Sequence, residues 1–303
     1  MNIAYLISAY KDPLNLYRLV TALTEEWTYF FIHIDKNVNM DPFIKILSSR
    51  NNIFFIKRYP INWAGFNQVN YQIELLKAAV CCNTKFDRYV CLTGQDYPIW
   101  SNLKIKKYFQ ENEHKEFICG VNISNLKEEK WKIIYYHFNS SLLRKGYIKV
   151  YNSILRIQGL LNIKKNNYLK IQNTKWDIYW GSDYWALTHK CVEIVLNTYN
   201  TIPRIKKYFQ YSFAPSELCI HTIIFNSTIK NNAIYLKLDY TEPFYLRFQK
   251  CTPLHYVYYD HCIKIMDLKD FNSIIKSPYP FFRKSETGIS DDLIKEIDKY
   301  RTI

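Results

Sequence analysis

Residues 2–9, NIAYLISA, run apolar almost without a break, and a run of that length without a charge is what a strand buried on both faces of a parallel sheet looks like. Such a strand needs layers above and below it, and the next residues begin to supply them. Asp12-Pro13 makes a helix cap with proline at the first helical position, and Leu16, Leu19, Val20, Leu23 and Trp27 fall on one apolar stripe. Further strands are predicted over residues 29–34, 53–59, 88–93 and 117–121, with a helix over 68–82. The alternation predicts an α/β fold, a central mostly parallel sheet flanked by helices, with ligands at the C-terminal strand ends.

Those ends carry chemistry. Asp35-Lys36 follows the second strand, Trp63-Ala64-Gly65-Phe66 the third, and Gly94-Gln95-Asp96-Tyr97-Pro98 the fourth. One acid or glycine at a turn is ordinary; the recurrence at three successive ends points to a ribose- or phosphate-binding edge. Later, residues 176–227 set two isolated acids, Asp183 and Glu217, among aromatic and small residues, each where a strand or loop gives way to another element. Beyond them come predicted strands at 233–238 and 245–249, the latter carrying Arg247, and a helix over 268–276 capped by Asp267. A last helix starts at Ser290 with Asp291 and Asp292 in its first turn.

Charge and cysteine usage narrow the partners. Lys and Arg number 41 against 27 Asp and Glu, a net charge of +14 that favours nucleotide diphosphates, nucleic acid or an acidic membrane face. Residues 130–176 hold ten Lys/Arg and no acid. An amphipathic helix over 148–163, with Lys149 and Arg156 on its polar flank, is either a solvated basic face or a surface for anionic lipid. The same segment with its tyrosines is the basis of a rival reading as a nucleic-acid-binding protein, which lacks any accompanying motif. Eight cysteines without a CxxC pair predict free thiols in a reducing compartment, not a disulfide framework or zinc site. No segment has the form of a signal peptide or membrane span, so the expected location is cytoplasmic, at most peripheral at the inner face of the cell membrane.

No P-loop, GxGxxG, GxSxG or HExxH pattern occurs. The D-x-D pattern that holds a divalent cation in many nucleotide-sugar enzymes is also missing; Gln95-Asp96 offers one carboxylate, which argues against a metal. The motifs AYLISAYKDP, FFIHIDK, WAGFNQV, FDRYVCLTGQDYPI, WGSDYWALTHKCVEIVL, PSELCIHTIIFNS and FFRKSE, in that order, resemble glycosyltransferase family 14: the core-2/I-branching N-acetylglucosaminyltransferases, the peptide O-xylosyltransferases and their bacterial relatives. The resemblance runs from residue 3 to about 286. It implies a single GT-A-type, Rossmann-like domain, with a nucleotide-binding half over 1–121, the basic insertion over 130–176 and an acceptor and catalytic half over 177–303.

The resemblance further implies a UDP-sugar donor, inversion at the anomeric carbon, no required metal or other cofactor, and a glycan or lipid-linked glycan acceptor. GlcNAc is the first expectation for the sugar, with UDP-xylose or another UDP-sugar as the alternative, in surface polysaccharide or lipopolysaccharide synthesis. By motif, Glu217 matches the catalytic base, and Arg283-Lys284 the basic pair that faces the diphosphate in place of a metal, with Arg247 as a third cation. Asp183 matches a position near donor sugar and acceptor, with Trp180 and Trp185 as sugar-stacking rings. His33, Asp35, Lys36, Trp63, Gly65, Gln95 and Asp96 match the nucleotide-facing edge. FFRKSE departs from the family at Phe282 and Ser285, and residues 241–260 blur the family's usual elements.

Overall fold

The computed structural model describes residues 1–48, 50–138 and 147–302. Strands β1 (Ile3–Ala9), β2 (Thr28–Ile34), β3 (Ile53–Phe55) and β4 (Arg88–Thr93) run parallel, with β1 between β2 and β4 and β3 outside β2. Side-chain alternation divides β1 between two cores. Ala4 and Leu6 face one that includes Val69, Ile73 and Leu76 of helix Asn67–Val80, and Val192 and Val195 of helix His189–Thr201. Ile3, Tyr5 and Ile7 face the other, with the stripe of helix Pro13–Leu23 and Leu293 and Ile297 of the last helix, Asp291–Arg301. Leu16, Leu19, Val20 and Leu23 have no exposed surface, each worth roughly 1.5–3 kcal/mol relative to exposure. Asp12 caps that helix by accepting from Asn15 N, with Pro13 opening it.

After β4 the short β5 (Asp96–Pro98) turns away, and β6 (Cys119–Asn122) is where the expected fifth strand lies. Among the described residues it does not join the main sheet, to which Phe117, just before it, makes an isolated bridge at Ala186. Next come a hairpin, β7 (Tyr168–Ile171) and β8 (Thr174–Asp177), then β9 (Tyr179–Trp180) and β10 (Ala186–Thr188). Here β10 takes the fifth place, antiparallel to β4, while β6 pairs with β9 and with β11 (Ile234–Tyr235) in a second sheet. Gly120 makes that possible, since a Cβ there would stand 2.2 Å from the Phe225 ring of helix Cys219–Phe225. The chain closes with β12 (His255–Val257), the hairpin β13 (Tyr259–Asp260) and β14 (Cys262–Ile263), and β15 (Phe281–Arg283). Strand β15 lies between β12 and β5, opposing Arg283 to Asp96.

Several expected boundaries shift for local reasons. The third strand stops at Phe55 because side chains take over its ladder: Arg58 donates to the carbonyls of Ile34, Asp35 and Val38, and Tyr59 N donates to His33 Nε2. The strand expected at 233–238 shortens to β11. The one expected at 245–249 is instead helix Phe244–Lys250, where Phe244 and Phe248 stack one turn apart, 5.9 Å between centroids. Residues 268–276 divide into a 3-10 turn, Leu268–Asp270, and helix Phe271–Ile275, with Asp267 and Asp270 forming a capping box. The basic insertion carries helix Ile148–Leu160, and the expected last helix begins after Ser290, whose hydroxyl donates to Met266 O rather than capping. All eight cysteines are free thiols, five of them buried.

One buried cation anchors the edge next to β4. Arg88 has no exposed surface and donates from Nη1 to Lys115 O at 2.7 Å and from Nη2 to Asn112 O at 2.9 Å, carbonyls just past helix Asn102–Glu111. Its guanidinium also lies over Phe109 and Phe117, and it offsets the buried Glu116. Arg88→Met leaves those carbonyls and Glu116 without a cation, and should lower unfolding free energy by about 3–5 kcal/mol in urea titration. A loss under about 1 kcal/mol would show that the guanidinium contributes little.

Candidate active site

The two isolated acids meet. Past β9 the chain makes a tight approach to the segment before helix Cys219–Phe225, with Gly181 N donating to Glu217 O at 3.0 Å. Only glycine fits, because a Cβ on residue 181 would fall 2.2 Å from Cys119 O and 2.6 Å from the His221 ring. Ala214 in the left-handed region and Pro215 then turn Pro215–Glu217 into a single 3-10 turn aimed back at this strand. Trp180 Nε1 donates to Glu217 Oε2 at 2.7 Å. Ser216 Oγ donates to Asp183 Oδ2 at 3.1 Å, and Gln72 Nε2 to Asp183 Oδ1 at 3.0 Å.

Burial raises both carboxyls, and their partners separate them. Asp183 is pushed up to about 7, by burial first and then by the Glu217 charge; the bonds from Gln72 and Ser216 and the charge of Arg283 pull the other way. Glu217 is also raised by burial, opposed first by the Lys132 ammonium and then by the Trp180 N–H. Lys132 is positioned by Glu129, 2.9 Å away, and sits over the Trp180 ring at 4.3 Å. The arrangement favours a proton on Asp183 and a charge on Glu217, one oxygen of which is held by Trp180.

Across Tyr184 lies the cation. The Arg283 guanidinium stands 5.2 Å from the Tyr184 ring centroid. Its Nη1 donates to Asp96 Oδ1 at 2.8 Å and to Thr93 Oγ1. Burial alone would raise Asp96, but Arg283 and then His255, 3.3 Å away, hold its carboxyl down at about 2. Lys284 is partly buried; burial and then the neighbouring Arg283 charge lower its ammonium. Gln95 Nε2 donates to Glu286 Oε2, which pairs with Lys11 at 2.5 Å.

Several expected ligand contacts are structural instead. Asp96 has no exposed surface and both oxygens engaged, so it acts through Arg283 and not on a ligand. His33 is buried, accepts from Tyr59 N at 3.0 Å, stacks on Tyr71, and is lowered to about 4 by burial, a neutral packing histidine. Trp185 has no exposed surface and belongs to the core. Trp180, 5% exposed, holds Glu217 and offers no open face to a sugar. Arg247 is engaged elsewhere: its guanidinium covers Tyr240, whose hydroxyl donates to Glu129, the partner of Lys132.

Asp35, Lys36, Trp63 and Gly65 do border one open loop. Asp35 Oδ1 accepts from Asn37 N and Ile61 N, and the Lys36 side chain is exposed. Trp63 is 64% exposed, edge-on to Phe213 at 5.5 Å, and Gly65 N closes the turn to Asn62 O. The left-handed residue in that turn is Ala64. Gln95 is nearly buried and ties β5 to Glu286. Sequence reading missed Gln72, Lys132, Tyr184 and Ser216. Gln72 was visible as a polar residue on a helix face of Val69, Ile73 and Leu76, and Tyr184 and Ser216 adjoin the acids; Lys132 was masked by the surrounding basic run. Among the described residues, no three His, Cys, Asp or Glu side chains converge as a metal site.

A family model described as "Core-2/I-Branching enzyme" matches residues 3–275. Among curated proteins, xylosyltransferase 2 of Rattus norvegicus is 21% identical over 311 aligned residues, covering 98% of this chain and 33% of that protein. Xylosyltransferase 1 of Rattus norvegicus is 20% identical, covering 94% of this chain and 33% of that one. The chain thus spans about a third of the length of these relatives. Of the solved structures, apo mouse xyloside xylosyltransferase 1 aligns at TM-score 0.34 and 7% identity over 92% of this chain and 97% of that one, a likeness too slight to build on.

The raised Asp183 carboxyl has a signed consequence. From its ordinary 3.8 to about 7 the folded protein holds a proton that the unfolded chain has lost, so this group's contribution to stability falls as pH rises through that window. Asp183→Asn, which can keep the Gln72 and Ser216 bonds, should flatten the fall and stabilise the protein at pH 8 by roughly 1–2 kcal/mol, a few degrees in Tm. Thermal unfolding at pH 5 and pH 8 reads it; an unchanged pH dependence in the variant would show that Asp183 titrates normally.

Proposed function

The chain belongs to the core-2/I-branching enzyme family and is a glycosyltransferase, and from that premise we propose that it transfers a sugar, GlcNAc first, from UDP to a glycan hydroxyl in one inverting, metal-independent displacement. The observation that carries the reading is that Glu217, one oxygen held by Trp180, and Arg283 both lie close enough to Tyr184 to act on its hydroxyl. The acceptor hydroxyl gives its proton to Glu217 as its oxygen bonds to the anomeric carbon. The bond from that carbon to the diphosphate oxygen breaks on the opposite face, inverting the centre. Arg283 and Lys284 stabilise the charge that gathers on the departing UDP, and a fixed cation in a water-poor site is worth several times its value in solvent. Asp183, raised by burial to about 7, is the group that hydrogen-bonds a sugar hydroxyl.

UDP-xylose is the second reading for the donor, favoured by the xylosyltransferases among the relatives. The acceptor proposed is a glycan or lipid-linked glycan of a cell-surface polymer, a class consistent with the chain's net charge of +14.

Glu217→Gln removes the base and keeps the shape. It should bind UDP within about twofold of wild type in calorimetry and lose about 10²–10⁴-fold in kcat. Turnover near wild type would remove Glu217 from the role. With UDP-GlcNAc and UDP-xylose compared in one transfer assay, EDTA should leave the rate unchanged; a rate that EDTA abolishes and Mn²⁺ restores would overturn the metal-independent mechanism.

A further inference from the structure

Helix Ile148–Leu160 buries Tyr151 and Gln158 and holds a row of aliphatic side chains in solvent. Inward, the Tyr151 hydroxyl meets His137 Nδ1, and Gln158 accepts from Tyr136 N and donates to Tyr136 O, both at 2.8 Å. Tyr151 and Gln158 are its two buried residues. Outward, Val150, Ile154, Ile157 and Leu161 recur at spacings of four, three and four, which at 3.6 residues per turn confines them to an arc about 60° wide. They are 48%, 37%, 54% and 65% exposed, and the adjoining Leu160 is 78% exposed. An ordinary surface helix turns such a row toward the core, so an aliphatic row turned outward marks a surface for an occupant.

Charge identifies the occupant. Lys149 and Arg156 are exposed on the flank of the row, and Lys164 and Lys170 are exposed just beyond it. The whole segment over 130–176 has ten Lys/Arg and no acid to neutralise them. A second copy of the chain would bring the same unbalanced positive charge against this face and repel it. An anionic bilayer satisfies both halves, with hydrocarbon for the aliphatic row and headgroups for the cations. At 13 residues the helix is too short to span, so it would lie in the plane of the interface.

We propose that this helix docks the protein on an anionic membrane surface, with Val150, Ile154, Ile157 and Leu161 in the acyl boundary and Lys149, Arg156 and Lys164 at the headgroups. The proposal does not depend on the donor or on the role of Glu217. The test is co-sedimentation of the full chain with phosphatidylcholine vesicles and with vesicles of equal parts phosphatidylcholine and phosphatidylglycerol. Wild type should pellet with the anionic vesicles, not with the neutral ones, and release at high salt. Ile154→Glu/Ile157→Glu and, separately, Lys149→Glu/Arg156→Glu should each cut the bound fraction about tenfold or more, with unchanged Tm because all four side chains are exposed. Three outcomes would each overturn it: equal binding to neutral vesicles, anionic binding that survives the Ile154→Glu/Ile157→Glu change, or a wild-type dimer in sedimentation velocity that this change dissolves while vesicle binding is absent.

Discussion

The fold and the candidate site both depend on the buried pair of Asp96 and Arg283. These residues are 187 positions apart, and their contact is what brings the C-terminal β15 against the end of the N-terminal sheet. A buried ion pair stabilises little when its desolvation is set against its attraction, unless the remaining lone pairs are also satisfied. On the carboxylate side they are, since Thr93 N and Oγ1 donate to Asp96 and His255 Nε2 lies 3.3 Å from its Oδ2, while the buried Arg283 Nε has no partner among the described residues. Around the pair, Ser285 N donates to Gln95 O and Asn15 Nδ2 donates to both Gly94 O and Ser285 Oγ. The seam that completes the fold therefore also fixes the orientation of the cation over Tyr184.

How much of this could be read from the sequence follows from the range of the interactions. Strand β1, helix Pro13–Leu23 and strand β4 are specified by their own residues through double burial, a cap and a stripe, and they stand where the sequence puts them. Residues 117–121 were legible as extended but not as to sheet, because the partner is chosen by Gly120 meeting Phe225, a contact 105 residues away. Residues 245–249 show the usual ambiguity of a short apolar run, which fits either period. In the site the acids were legible and their surroundings were not. Asp96 reads as a ligand contact until its partner Arg283 is known, and Trp185 reads as a sugar platform until its side of the strand is known.

The same reasoning distinguishes the two acids of the cleft. Both are raised by burial, so burial cannot tell them apart. Asp183 is met by two neutral donors, Gln72 and Ser216, which stabilise a carboxylate but accept a shared proton without loss of geometry, since an amide and a hydroxyl can both remain in place. Glu217 is met by an indole N–H, which can only donate, and by the charge of Lys132, and both favour the ionised form. The surroundings therefore favour the charge on Glu217 over Asp183. The Lys132 ammonium that favours the charge there is in turn held by Glu129, so the basicity of Glu217 is a balance between burial, which raises it, and a cation from the insertion, which lowers it.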